Sequence, residues 1–141
     1  MPDDRIVDDH LAAVYDAVLV TLYQTKQAAW SAASTPFAGD LRDLRDFLIE
    51  QSRLVDEAET RIGGRAERVS TPSSYQQGNL VAESGGDIAL AVRTLTERLV
   101  ELSSDVRQRA AAIEGTDEGA LLERLADGVA ASVERLNANQ S

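Results

Sequence analysis

The sequence predicts an all-α chain: four long amphipathic helices in one bundle, with a single long link between the second and third. Apolar residues recur at intervals of three and four along four separate stretches, the spacing that lines up one face of an α-helix. Aromatics make up only 4% of the 141 residues, while Ala, Leu, Val, Glu and Arg dominate, a composition suited to helices rather than sheets. Link length supplies the third observation. Two of the three links are short, and the other runs from Gly63 to Gly86, rich in Gly, Ser, Thr, Pro and Gln.

The first helix is expected from about Asp4 to Ala32, with Val7, Leu11, Val14, Val18, Leu22, Thr25 and Ala29 as its inward face. Asp3, Asp4, Asp8 and Asp9 in its first turns suit the positive end of the helix dipole. Ser31 to Gly39, with Ser34-Thr35-Pro36, reads as a turn. The second helix starts near Pro36–Asp40, carries the stripe Leu41, Leu44, Leu48, Val55, Ala58 and Ile62, and stops at Gly63-Gly64. A short helical turn is predicted in the long link near Ser74–Val81.

Asp87 is the expected N-cap of the third helix, whose face is Ile88, Val92, Leu95, Leu99, Leu102, Val106, Ala110 and Ile113. Glu114-Gly115-Thr116 makes a tight turn into the fourth helix, about Asp117 to Asn137, with Leu121, Leu122, Leu125, Val129, Val133 and Leu136 inward. Gly128 within it lowers helix propensity by about 1 kcal/mol relative to alanine, so close helix packing is expected there. Two short links make two antiparallel hairpins, and the long link carries the chain back along the bundle. Bundles with two long crossovers fit less well; a plain up-down bundle with a long loop is the alternative.

Composition bounds the function. The length suits one domain over residues 1–141, and 43% hydrophobic residues allow a sizeable core. No stretch approaches the roughly 20 apolar residues of a membrane span, and the acidic start MPDDRIVDDH lacks the apolar core of a signal peptide, so a cytoplasmic location is expected. There is no cysteine, which excludes disulfides, thiolate metal sites and cysteine nucleophiles. A net charge of −10 argues against a general phosphate-binding surface. Lys26 is the only lysine beside thirteen arginines, as in salt-loving organisms or in GC-rich genomes.

The stretch TKQAAWSAASTPFAGDLRDLRDFLIEQSRLVDEAETRI, Thr25 to Ile62, carries a family likeness. Its TKQ-A-A-W run, Phe37, long acidic helix and terminal Arg-Ile resemble the Dps (DNA-protection-during-starvation) branch of the ferritin-like proteins, and the likeness covers most of the chain. It implies a ferritin-like four-helix bundle, a two-fold dimer through the first two helices, and a hollow shell of twelve subunits related to iron storage and oxidative-stress protection. A di-iron centre within one bundle needs two Glu-x-x-His motifs; this chain has one histidine, His10, and no such motif.

The Dps-type ferroxidase site lies instead between two-fold-related subunits. Carried over without gaps, Ala29 and Leu41 stand where its histidines belong, Arg45 where the first aspartate belongs, and Asp56 and Thr60 where the partner supplies an aspartate and a glutamate. Only Asp56 keeps a ligand. A register shifted by one residue restores Asp46 but needs an insertion. Iron takes carboxylate and imidazole ligands, so no metal, no cofactor and no ferroxidase activity are expected.

Trp30, Phe37, Tyr15 and Tyr23 read as packing residues, and Trp30, Arg45 and Asp56 as positions at the two-fold interface. His10 reads as a surface or interface histidine. Arg42, Arg45, Arg53, Arg61, Arg65 and Arg68, interleaved with Asp43, Asp46, Glu50, Asp56, Glu57 and Glu59, read as ion pairs on a solvated or interface surface. DNA binding in Dps proteins is attributed to a lysine-rich tail, which an acidic start replaces here, so no nucleic-acid partner is expected. The expected partners are other copies of the chain, or an active relative in a mixed shell. The alternative is a non-catalytic ferritin-like dimer acting as an interaction protein.

Overall fold

The computed structural model describes residues 2–63 and 80–139, all of whose regular structure is helical. Four long helices, α1 (Asp4–Ser31), α2 (Ala38–Arg61), α4 (Ile88–Ala112) and α5 (Asp117–Ala138), are joined by a short α3 (Leu80–Glu83) ahead of α4. The predicted turn near Ser74–Val81 thus meets α3 at its end; residues 74–79, like Gly64, Arg65 and Arg68, lie outside the described residues.

The helix ends follow local chemistry. Asp3 caps α1, its carboxylate accepting from the backbone N–H groups of Arg5 at 2.9 Å and Ile6 at 3.1 Å. Asp87 caps α4 by accepting from Leu90 N–H at 3.1 Å. Thr116 caps α5, its Oγ1 accepting from Gly119 N–H at 2.9 Å. Gly63 follows the last turn of α2 at φ +82°, the left-handed C′ position that glycine adopts cheaply.

The inward stripes converge on one core. Leu11, Leu41, Leu44, Leu48, Leu95, Leu99, Leu122, Leu125 and Leu136 are fully buried in it, each contributing about 1.5–3 kcal/mol by leaving water. Ile62 and Ile88, at the ends of their stripes, are only half-buried. α1 packs against α2 and α4, and α5 against α4 and α2.

The direction of each helix follows from single contacts. His10 near the start of α1 meets Arg109 near the end of α4, Nδ1 to NH1 at 3.2 Å, so these helices run antiparallel. Asn139 beyond the end of α5 donates to Asp40 in the first turn of α2, making that pair antiparallel too. Within the α4–α5 hairpin, Ser103 Oγ donates to Ala126 O at 3.1 Å and Arg107 pairs with Asp127 at 2.8 Å. It follows that α2 and α4 are parallel and sit diagonally, both antiparallel to the α1 between them. Successive helices of an up-down bundle are antiparallel neighbours, which α2 and α4 are not.

Candidate functional site

The α1–α2 hairpin builds the most distinctive surface of the chain. Lys26, Ala29, Trp30 and Ala33 recur at helical spacing on α1 and just past its end; Ala38, Arg42 and Arg45 do so on α2. The two rows line a groove of about 520 Å³. Ala29 and Ala38, both buried, are too small to fill the space between the helices, which is why it is open. Its charged lining is wholly cationic: Lys26, Arg42 and Arg45. Among the described residues Lys26 and Arg42 make no ion pair, while Arg45 pairs with Asp46 at 3.0 Å. A second groove, of about 240 Å³, lies against Tyr23, Lys26, Gln27, Trp30 and Ser31, so the indole stands as a ridge between the two.

Trp30 is 86% exposed, which corrects its reading as a packing residue. The reason is angular. The buried row of α1 runs through Leu22, Thr25 and Ala29, and residue 30 lies about 100° further round the helix, with Lys26 on the outward side. Phe37 is buried as expected, and Tyr15 packs against the core.

The positions that the Dps resemblance aligns with ligands are placed as follows. Ala29 and Leu41 are buried apolar residues of the core cluster. Arg45 is half-buried, its guanidinium held by the neighbouring Asp46. Thr60 is exposed, and its hydroxyl donates to Asp56 O at 2.9 Å within its own helix. Asp56 is half-buried. Eleven residues separate Arg45 from Asp56 on one helix, about 16 Å of axial rise, so the two cannot meet within a chain. Among the described residues, no three His, Cys, Asp or Glu side chains come close enough together to hold a metal ion.

His10 lies far from these positions, nineteen residues before Ala29 on α1 or about 28 Å along its axis. It is half-buried against Arg109, which in turn pairs with Asp105 at 3.1 Å. A guanidinium only donates, so Nδ1 is the acceptor in this contact.

Two features escaped the sequence reading. Glu59, counted there among the solvated or interface acids, is fully buried. Its position four residues after Val55 and three before Ile62 puts it beside the apolar stripe, the one signal available. Gln24 is likewise 2% exposed on α1. The ion-pair reading holds for Arg53, which bridges Glu50 and Glu57 one turn to either side of it. The Arg53 hydrogen bond to Glu50 holds that carboxyl below the ordinary glutamate range.

No family model, curated protein or solved structure matches the chain. Among the described residues, no helix is long and apolar enough to cross a membrane.

Proposed function

We propose that this chain is a Dps-like subunit of the ferritin-like class that assembles through the α1–α2 face and has lost the ligands of its intersubunit ferroxidase site. The observation that carries the reading is topological: α2 and α4 are parallel and diagonal, so one long crossover joins two antiparallel hairpins. The surface supports it as well. Trp30 is the most exposed of the large apolar side chains and lies with exposed Ile49 on the α1–α2 hairpin, and Trp with Arg is the composition that dominates interface energetics. Arg45, Ile49, Ser52 and Asp56 share one face of α2 at helical spacing. A two-fold axis near residues 50–51 brings Arg45 of one subunit to Asp56 of the other.

In that dimer Arg45 supplies in place the positive charge that a metal supplies between carboxylates, and its planar fork matches an aspartate. The role left to such a subunit is passive iron handling, or membership of a mixed shell with an active relative. Light scattering of the purified protein tests the assembly. Twelve subunits of 15.2 kDa give about 180 kDa. A particle of about 30 kDa favours the non-catalytic interaction dimer, and a monomer at micromolar concentration refutes both. Arg45→Ala and Asp56→Ala should each weaken the dimer, and the double variant should be less harmed than the sum of the two.

A further inference from the structure

The groove between Lys26, Trp30, Arg42 and Arg45 is at odds with the chain around it. The protein carries a net charge of −10, yet its only lysine and two of its arginines line one small concavity with no acidic residue among the lining. Cations of a surface helix are ordinarily neutralised by acids one turn away, as Arg53 is by Glu50 and Glu57. Lys26 and Arg42 have no such partner among the described residues, and Arg45 keeps only Asp46, which does not line the groove. Beside them stands an indole, 86% exposed, over an alanine floor.

We propose that this groove binds an aromatic phosphate of the mononucleotide class, its planar ring against Trp30 and its phosphate among Lys26, Arg42 and Arg45. Each part follows from chemistry on the surface. Guanidinium forks and a lysine ammonium are the side chains that hold phosphate oxygens, with arginine offering paired parallel donors. An exposed indole face accepts any planar ring, because stacking needs a π-surface and not a particular hydrogen-bond pattern. A volume of about 520 Å³ falls in the range of small-ligand sites. The polyanionic exterior repels a nucleic-acid strand extending beyond the groove, which limits the ligand to a compact one. A cation is disfavoured by three positive charges. The groove is complete within one chain, but Trp30 and Arg45 also belong to the face assigned above to assembly, so a ligand and a second copy compete for it and the two readings are separated by the test below.

Trp30 is the only tryptophan, so its fluorescence reports directly on the site. Adenosine 5′-monophosphate is the probe, titrated beside adenosine and inorganic phosphate at low ionic strength. Saturable quenching by the monophosphate is expected at a Kd of about 10 μM to 1 mM, with adenosine and phosphate each at least roughly tenfold weaker because each offers one half of the contact. The variant Lys26→Glu/Arg42→Glu changes two exposed residues and should weaken binding at least roughly tenfold with its circular dichroism unchanged. Arg124→Glu, exposed on α5, should bind like the parent.

Absence of saturable quenching up to millimolar probe overturns the proposal, as does undiminished binding by the charge-reversed variant. Equal potency of adenosine removes the phosphate contact, and equal potency of inorganic phosphate removes the ring contact; either result refutes it. Light scattering on the same samples separates ligand binding from assembly. Quenching that follows protein concentration rather than probe marks Trp30 as covered by a second copy, and also refutes it.

Discussion

Gly128→Ala provides the sharpest test of the helix packing. Glycine inside a helix is less favourable than alanine by about 1 kcal/mol, so on α5 alone the substitution should stabilise. The structure reverses that expectation. A Cβ on residue 128 falls 2.1 Å from Phe47 Cζ, 2.5 Å from Cε1 and 2.9 Å from Cε2. Carbon atoms in contact sit about 3.5–4.0 Å apart. The far edge of the ring would thus have to retreat by roughly 1.5 Å from where α2 presents it to α5. Overpacking of this kind costs about 1–3 kcal/mol, which leaves a net destabilisation of about 0–2 kcal/mol after the gain in propensity.

The decisive quantity is the sign in two backgrounds. With Phe47 present, Gly128→Ala should lower the thermal midpoint, by about 4 °C for each kcal/mol in a chain of this size. In a Phe47→Leu background the ring edge is gone, and the same change should raise the midpoint by a similar step. Thermal denaturation followed by circular dichroism on the four proteins gives the cycle directly. Stabilisation by about 1 kcal/mol in both backgrounds would refute the close approach of α2 and α5, and with it the placement of these helices as neighbours.

Three further outcomes are expected. On the Dps-like reading proposed above, Ala29, Leu41, Arg45 and Thr60 replace four ligands, so Fe(II) oxidation by the purified protein should match the buffer blank; a saturable rate abolished by Asp56→Ala would refute that expectation. The acidic chain should leave duplex DNA unshifted in a gel at about 0.15 M salt, and retardation by low micromolar protein counts against this. Glu50, held below the ordinary glutamate range by its hydrogen bond from Arg53, should titrate at a higher pH in Arg53→Ala when followed by carboxyl NMR. Because the folded-state pKa is the lowered one, the stabilisation by this pair is present at neutral pH and lost as pH falls through that value. An unchanged Glu50 midpoint in the variant would mean that the pair does not persist in solution.

What the sequence determined by itself was everything that depends on neighbours three or four residues apart. The stripes of α1, α2, α4 and α5, the capping by Asp87 and the left-handed stop at Gly63 were legible because hydrogen bonding and burial repeat with the helix period. Gly128 was legible as an anomaly of propensity, although which side chain filled the gap was not. Phe47 lies eighty-one residues away in the chain, and no local pattern pairs it with Gly128.

Tertiary structure alone decided what happens where faces meet. Trp30 is an apolar residue by type, but it sits off the buried row of its helix and no other helix covers it. Glu59 is charged by type, yet its place beside the stripe of α2 carries it wholly inside. Lys26, Arg42 and Arg45 are ordinary surface cations until the hairpin closes α1 on α2 over buried alanines. A side chain's exposure is set by what packs opposite it, and what packs opposite is chosen by contacts distant in sequence.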